Sequence, residues 1–228
     1  MHDTVISEAA LAIDARLRGE RTPLALIPAK TAHLVVDLQV GFMAPGSVAE
    51  TPMNLQILPA VNRISAALRE AGGLNVFLRY TYDPTWTGFF GRFAPGRTEP
   101  MEAAFSPGAE QHALWPEMDV QAQDLILDKT RFSAMIPGTC DLDAELRARG
   151  IDTLIVTGCV SNCCCESTIR DAMQMNYNIV FVQDGNAAAS DADHNGAVAD
   201  LFGIFGCDVC SADQVVERLT AAAVGQAA

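Results

Sequence analysis

Residues 154–168 read Leu-Ile-Val-Thr-Gly-Cys-Val-Ser-Asn-Cys-Cys-Cys-Glu-Ser-Thr. The first three residues are an apolar, largely β-branched run typical of a buried strand, and residues 163–176 have the pattern of a helix. A turn from strand to helix points the unpaired N–H groups of the new helix, and the positive end of its dipole, at whatever binds there. A thiol in this turn would have a lowered pKa, so the four cysteines include a candidate nucleophile.

Similar apolar runs recur along the chain, at residues 34–36, 76–78, 125–127 and 179–182. Helices are predicted between the runs, at residues 54–71, 141–149, 163–176 and 191–203. Continuous apolar runs bounded by turn residues are typical of parallel strands that are covered on both faces. The alternation predicts an α/β fold, with a Rossmann-like open, mostly parallel sheet flanked by helices on both faces.

Two segments lie outside this alternation. Residues 5–18 have an amphipathic helical pattern, so we expect residues 1–30 to be an N-terminal helical extension that packs on the body or on another subunit. Residues 31–220 are then the main domain. Residues 83–118 are rich in Pro, Gly and aromatic residues and are too long for an ordinary connection, which predicts a functional loop, either a lid or an interface.

Composition limits the partners. The chain has 228 residues, of which 50% are hydrophobic, and a formal net charge of −13. This charge disfavours nucleic acids and anionic membranes, because phosphate binding needs clustered Lys and Arg. The sequence has neither an apolar run of about 18 residues nor the pattern of a signal peptide, so we expect a soluble, cytoplasmic protein whose partner is a small molecule.

The cysteine content favours free thiols. There are seven cysteines, an odd number, and five of them lie between Cys140 and Cys165. A reducing cytosol keeps such thiols unpaired. The spacings of zinc sites do not occur and the four histidines are scattered, so we expect no metal and no cofactor.

Polar residues follow three of the apolar runs. Asp37 follows residues 34–36, Lys129 follows residues 125–127, and the cysteine turn follows residues 154–156. Because the carboxyl ends of parallel strands share one edge of the sheet, an acid, an amine and a thiol should converge there. A buried aspartate can take a thiol proton, and a nearby ammonium favours the thiolate. Taken singly, such an aspartate is more often a turn residue, such a lysine is usually a solvated tip, and clustered cysteines are commonly small core residues, which is the preferred interpretation for Cys165.

These residues resemble the isochorismatase-like superfamily of cysteine hydrolases over about residues 30–215. The matching motifs are Val-Asp-Leu-Gln at 36–39 with Phe42, Asp-Lys-Thr-Arg-Phe-Ser-Ala at 128–134, and 157–168 followed by Arg-Asp-Ala at 170–172. The resemblance implies that residues 31–220 form the hydrolase domain.

The resemblance also assigns roles. It implies a triad of Asp37 as acid and base, Lys129, and Cys164, which lies four residues before Thr168, as the nucleophile. It further implies a cis peptide between Cys159 and Val160 and an oxyanion hole formed by the backbone N–H groups of Val160 and Cys164. The family usually has an aliphatic residue at the position of Cys163, which stays unexplained.

The resemblance narrows the chemistry as well. The Asp-x-His metal motif of nicotinamidases has no match here, so the chain looks more like the metal-free amidohydrolases of ureido and carbamoyl compounds. We expect hydrolysis of a C–N amide, ureido or carbamoyl bond through a thioester. The alternatives are a vinyl-ether or ester hydrolase, a non-catalytic binding protein on the same fold, and thiol redox chemistry through Cys159–Cys165 or the Cys-x-x-Cys at 207–210.

Substrate contacts are predicted among the aromatic residues beyond the first two strands. The candidates are Gln39, Phe42, Tyr82, Trp86 and Phe89, although aromatic residues also cover cores and interfaces. Arg92 and Arg97 are candidates for binding a substrate carboxylate, with solvated arginines as the simpler interpretation. The N-terminal helix and the apolar content suggest a homo-oligomer, either a dimer or a tetramer.

Overall fold

Six parallel strands form an open sheet in the computed structural model, which describes residues 1–226. In chain order the strands are β1 (Thr31–Val36), β2 (Leu74–Tyr80), β3 (Leu125–Lys129), β4 (Thr153–Cys159), β5 (Asn178–Ala187) and β6 (Asp208–Cys210). Their order across the sheet is β3-β2-β1-β4-β5-β6, and each neighbouring pair is parallel. The predicted α/β fold with an open parallel sheet is therefore confirmed.

Helices cover both faces of this sheet. In chain order they are α1 (Glu8–Arg18), α2 (Val40–Met43), α3 (Asn54–Glu70), α4 (Thr98–Phe105), α5 (Leu142–Ala148), α6 (Glu166–Gln174), α7 (Asp191–Gly203) and α8 (Ala212–Gln226). No helix within residues 1–226 is long and apolar enough to cross a membrane.

The central strands are buried on both sides, which explains their uninterrupted apolar sequences. In β1, Leu34 and Val36 belong to the core cluster that includes residues of α5, α6 and α7. Val35, which points to the opposite face, packs in a cluster with residues of α3. Ile155 of β4 likewise packs with α3 and α8. The period of two along each strand thus divides the core between the two helical layers.

The chain changes direction across the sheet between β1 and β4. It runs from β1 outward to β2 and β3, returns to the centre for β4, and continues outward to β5 and β6. Ligands of open α/β sheets bind at such a switch point, outside the carboxyl ends of the two central strands. In this protein those ends lead into Asp37 and into the cysteine turn.

Two backbone positions bring these strand ends together. Gly158 in β4 has a φ of +124°, and a Cβ atom there would lie 2.1 Å from the carbonyl oxygen of Val36. Asp37 has a φ of 55°, in the left-handed region that aspartate tolerates better than most residues. The missing side chain of Gly158 allows β1 and β4 to approach closely where they end, and the chain turns at Asp37 directly after this contact.

The N-terminal segment packs against the body. The carboxylate of Asp14 in α1 forms ion pairs with Arg18 and Arg21 at 2.8 Å. These two arginines also donate to the carbonyl oxygens of Gly203 and Cys207. The division into an extension at residues 1–30 and a domain at residues 31–220 stays a prediction.

The sequence analysis missed some of the helices and one of the strands. The segment 83–118 contains α4 and three short helical turns, at Phe89–Phe93, Pro95–Arg97 and Glu110–His112. The strand β6 was not predicted because it has only three residues. The helix α8 was missed although it has a start signal, the capping box that Ser211 and Gln214 form. The Cys-x-x-Cys at 207–210 leads into β6, and both of its thiols are free and buried.

Substitution of Gly158 by Ala should destabilise the fold. The added methyl group would overlap the Val36 carbonyl, and alanine disfavours this backbone conformation, so we expect a loss of about 3 kcal/mol or more in the free energy of unfolding. Urea titration followed by circular dichroism measures it. Gly196→Ala in α7 is the matched control: it has open space around it and should be neutral or stabilising by up to about 1 kcal/mol. Equal stability of the two variants would contradict this account.

Candidate active site

A buried ion pair lies at the carboxyl edge of the sheet. The Nζ atom of Lys129 is 2.7 Å from Oδ2 of Asp37, and both side chains are fully buried. Asp37 follows β1 and Lys129 ends β3, so the lysine side chain reaches across the end of β2, which lies between them. Adjacent strands are about 4.8 Å apart, and two such spacings are within the combined reach of a lysine and an aspartate side chain that meet in an ion pair. Lys129 also donates to the carbonyl oxygen of Arg131 at 3.1 Å.

Burial and pairing shift the pKa values of this pair. Burial raises the pKa of Asp37, while the charge of Lys129 and the Cys164 thiol act in the opposite direction. Burial alone would lower the pKa of Lys129, but the neighbouring Asp37 and Cys164 outweigh it and raise that pKa. Lys129 is therefore a permanent cation, and Asp37 is a carboxyl group whose pKa is moved toward neutrality, as a general base requires.

The cysteine turn begins at the end of β4. The peptide between Cys159 and Val160 is cis, as the resemblance implies, and Ser161–Cys165 form a helical turn that continues into α6. The Thr168 hydroxyl donates to the carbonyl oxygen of Cys164 at 2.7 Å and accepts from the N–H of Ala134 at 3.2 Å. Thr168 thus fixes the backbone of Cys164 and ties it to the loop that follows β3.

The four thiols of the turn differ in their surroundings. Cys159 is 1% exposed and donates to the carbonyl oxygen of Asp37 at 3.3 Å, and burial raises its pKa well above the usual range. Cys165 is fully buried in the core, as predicted, and burial raises its pKa in the same way. Cys163 and Cys164 both line a cavity at the sheet edge. Only these last two thiols of the turn are therefore open to a ligand.

The ionisation of the Cys163 thiol and that of the Cys164 thiol depend on each other. A hydrogen bond between the two thiols, helped by the charge of Lys129 and opposed by burial, lowers the pKa at which the pair loses its first proton. The same hydrogen bond, together with burial, raises the pKa for the second proton well above the usual range. These pKa values belong to the pair rather than to either residue. The pair accordingly holds one negative charge more readily than an isolated thiol does.

The cavity in front of the two thiols has a largely apolar wall. It encloses about 630 Å³ including its open mouth, and Val160 lies beside the thiols. Phe42 and Phe89, two of the predicted substrate contacts, line it. Phe89 belongs to the segment 83–118, which therefore covers one side of the candidate site.

The other predicted contacts have different surroundings. Gln39 is fully buried and does not line the cavity. Its side-chain oxygen accepts from the N–H of Tyr80 at 2.7 Å, and its side-chain nitrogen donates to the carbonyl oxygens of Tyr80 and His112. Gln39 thus holds the loop after β1 against the end of β2. Tyr82 and Trp86 belong to the aromatic cluster behind Phe89 and do not line this cavity, although Trp86 lines a neighbouring open cleft.

The sequence analysis missed several residues of the cavity. Tyr80, Phe132, Met101 and Ala49 line it. Arg97, which the sequence analysis did name as a candidate, also lines it. Tyr80 pairs with Lys129 across β2 and β3, and the lysine Nζ is 5.6 Å from the centre of its ring. The signal for Tyr80 was present, because it ends β2 as Lys129 ends β3, but the predicted strand stopped at residue 78.

A metal site is not formed by the described residues. Within residues 1–226, no group of three or more His, Cys, Asp or Glu side chains is placed to hold a metal ion. All seven cysteines carry free thiols. The arrangement that remains is a carboxyl group, an ammonium group and a thiol pair beside an apolar cavity, which suits nucleophilic attack by sulfur and proton transfer by Asp37.

Comparison with known proteins is consistent with this geometry. The isochorismatase domain family matches residues 31–214. Ureidoacrylate amidohydrolase RutB of Variovorax paradoxus (strain S110) is 34% identical over 180 residues, which cover 71% of this chain and 70% of the relative. A crystal structure of a cysteine hydrolase from Pseudomonas syringae pv. phaseolicola 1448A is 28% identical, with a TM-score of 0.80, and the match covers 89% of this chain and 99% of that one. N-carbamoylsarcosine amidase from Thermoplasma acidophilum is 25% identical, with a TM-score of 0.67 and coverage of 81% and 97%.

Removal of either partner of the buried ion pair should cost more than removal of both. Lys129→Met leaves a buried carboxylate unpaired and Asp37→Asn leaves a buried ammonium unpaired, so each should lower the free energy of unfolding by about 3–5 kcal/mol. The double variant contains no unpaired charge and should be more stable than either single variant. Urea titrations at pH 7 measure all three. If the two single losses simply add in the double variant, the pair is not coupled as described.

Proposed function

The chain belongs to the isochorismatase family of hydrolases, and we propose that it is a cysteine-dependent amidohydrolase that cleaves a C–N amide, ureido or carbamoyl bond of a small molecule. The observation that carries this proposal is the fully buried pair of Asp37 and Lys129, whose charges act on the Cys164 thiol beside an apolar cavity. The names of the relatives, a ureidoacrylate amidohydrolase and an N-carbamoylsarcosine amidase, support the choice of bond.

The first half of the reaction forms a thioester. Asp37 takes the proton of the Cys164 thiol, and the thiolate attacks the carbonyl carbon of the substrate. The backbone N–H groups of Val160 and Cys164 stabilise the negative charge that develops on the carbonyl oxygen. When the C–N bond breaks, Asp37 returns the proton to the departing nitrogen, so that an amine or ammonia leaves and the acyl group stays on sulfur.

The second half restores the enzyme. Asp37 takes a proton from a water molecule as the water oxygen attacks the thioester carbonyl. The C–S bond then breaks, the product leaves as an acid, and the proton held by Asp37 returns to the sulfur of Cys164. Lys129 stays charged throughout, because Asp37 and Cys164 keep its pKa raised. Its role is to balance the negative charge that passes between carboxylate and sulfur.

The identity of the nucleophile is supported by position. Cys164 is 6% exposed, interacts with both Asp37 and Lys129, and has its carbonyl fixed by Thr168. Cys163 lines the same cavity, so it is the competing nucleophile. The proposal also includes self-association as a dimer or tetramer and a cytoplasmic location. The size of the assembly in solution tests the first, and the location of the protein in cells tests the second.

Ammonia release from a panel of small amides, ureido compounds and carbamoyl compounds tests the proposed function. We expect the wild-type chain to hydrolyse at least one class, and Cys164→Ala to lose at least about 10³-fold in kcat. Cys163→Ala keeps the nucleophile and should retain kcat within about tenfold. Near-normal turnover by Cys164→Ala together with an inactive Cys163→Ala would reassign the nucleophile. A wild-type chain that is silent on this panel but cleaves esters or vinyl ethers would overturn the choice of bond.

The pH dependence of kcat/KM should show the ionisation of Asp37. The carboxyl group accepts the thiol proton only when it is ionised, so activity should rise with pH through its pKa. Because burial raises that pKa, the acid limb should lie above the ordinary aspartate value of about 3.9. Initial rates between pH 4 and 8 measure it, with circular dichroism to show that the fold persists. A kcat/KM that is constant from pH 4 to 7 would contradict the role of Asp37 as the base.

A further inference from the structure

Two adjacent thiols of the cysteine turn face the same space. Cys163 is partly exposed, Cys164 is 6% exposed, and both line the cavity at the sheet edge. A hydrogen bond joins the two thiol groups, and the positive charge of Lys129 favours the thiolate form of each. The turn therefore presents a dithiol to the cavity, and the proposed hydrolysis needs only one of its two sulfurs.

The cysteines outside this dithiol are less accessible to a ligand in the cavity. None of them lines it, and they are Cys140, Cys159, Cys165, Cys207 and Cys210. Cys207 and Cys210 are the other close pair, but their side chains pack in different core clusters. Burial raises the pKa of both thiols to about 12. A small thiol reagent that enters the cavity thus meets Cys163 and Cys164 first.

The spacing of adjacent residues favours a bridging atom over a direct bond between the two sulfurs. Consecutive Cα atoms are about 3.8 Å apart, whereas the Cα atoms of a disulfide are usually about 4.4–6.8 Å apart. A disulfide between Cys163 and Cys164 would therefore require a change in the backbone of the turn that leads into α6. An atom that bonds to both sulfurs leaves them near contact distance, so the turn keeps its shape.

Two sulfur ligands suit a trivalent arsenic atom that carries one organic group. Such an atom forms three bonds, one to carbon and two to sulfur, so it needs no further protein ligand. Structural zinc needs four ligands, and residues 1–226 contain no group of three or more His, Cys, Asp or Glu side chains placed for a metal ion. A two-coordinate Hg²⁺ ion places its sulfurs on opposite sides of the metal, which the hydrogen bond between these thiols prevents.

The cavity also suits the organic group on the arsenic. Its wall is largely apolar, and Phe42, Phe89 and Phe132 line it together with the two thiols. It encloses about 630 Å³ including its open mouth, which is more than a phenyl ring occupies. Burial of aromatic surface against such side chains is favourable. An aryl group would therefore lie against this wall while the arsenic bridges the sulfurs.

We propose that Cys163 and Cys164 form a binding site for trivalent organoarsenicals, in which one arsenic atom bonds to both sulfurs and its organic group occupies the cavity. When an arsonous acid, R–As(OH)₂, binds, two As–O bonds break and two As–S bonds form. The two hydroxide groups leave with the two thiol protons as water. Arsenic and sulfur keep their oxidation states, so no oxidant or reductant takes part.

Mass spectrometry of the intact protein with phenylarsonous acid, the form of phenylarsine oxide in water, tests the site. A bridged adduct adds one phenylarsenic group and removes two hydrogens, whereas an adduct on a single thiol keeps an As–OH group and is heavier by one water. We expect one bridged adduct on the wild-type chain. Cys163→Val and Cys164→Ala should each give only the single-thiol adduct.

Competition with dithiothreitol measures the gain from the second sulfur. Because the second As–S bond closes within one molecule, the wild-type chain should hold the arsenical at least about 100-fold more tightly than Cys163→Val does. Cys207→Ala is the matched control, since it breaks the other close pair of cysteines and leaves the cavity lining unchanged. It should form the bridged adduct as tightly as the wild-type chain, and circular dichroism shows that each variant is folded.

Thiol protection locates the arsenic without any variant. The wild-type chain is alkylated with iodoacetamide in the presence and absence of the arsenical, which is then removed with dithiothreitol, and the cysteines are mapped by peptide fragmentation. The arsenical should protect Cys163 and Cys164 together. Protection of one without the other, a bridged adduct on Cys163→Val, or loss of the bridged adduct in Cys207→Ala would overturn the site.

The cavity wall predicts a preference for aryl arsenicals. Measured against dithiothreitol, which binds the same arsenicals in free solution, the wild-type chain should favour phenylarsonous over methylarsonous acid by at least about tenfold. Phe89→Ala should reduce this preference and still form the bridged adduct. An equal preference in the two chains would contradict the placement of the organic group in the cavity. These measurements need no substrate, so they hold whether or not the chain hydrolyses amides.

Discussion

The buried ion pair between Asp37 and Lys129 is the interaction on which the rest of the site depends. Two opposite charges at 2.7 Å, with no exposure to solvent, are stable only while both are present and held in register. That register requires β1, β2 and β3 to be parallel neighbours whose carboxyl ends lie level, and it requires a side chain as long as lysine to cross the end of β2. The sheet thus stores a carboxylate and an ammonium at one edge, where they act on a thiol.

The cysteine turn completes this arrangement, because two of its thiols stabilise the fold and the other two face the cavity. Cys159 holds the carbonyl of Asp37 and Cys165 fills the core, so the nucleophilic role falls to the pair that faces the cavity. Both thiols of that pair are affected by the charges of Asp37 and Lys129, and Cys164 is the one that also hydrogen-bonds to the two charged side chains. The close approach of β1 and β4 at Gly158 keeps the cysteine turn and Asp37 adjacent. The fold and the proposed chemistry therefore both require this contact between the two strands.

The features that could be predicted from the sequence are the buried strands and the polar residues at their ends. Uninterrupted apolar runs identify five of the six strands, and the residues that follow them identify Asp37, Lys129 and the cysteine turn, because parallel strands end at one edge. The remainder depends on tertiary contacts that have no local signal. The sequence cannot distinguish a Gln39 that lines a pocket from one that satisfies backbone groups of Tyr80, nor show which part of residues 83–118 brings Arg97 to the cavity.

Mass spectrometry of the acylated enzyme tests the central claim most directly. A hydrolysed substrate is mixed with the protein, turnover is stopped with acid within milliseconds to seconds, and the peptide containing residues 157–170 is sequenced by fragmentation. The account predicts an acyl group on the sulfur of Cys164, in an amount that matches the burst of amine release. An acyl group on Cys163, or steady turnover of the same substrate by a chain whose cysteines are never acylated, would contradict it.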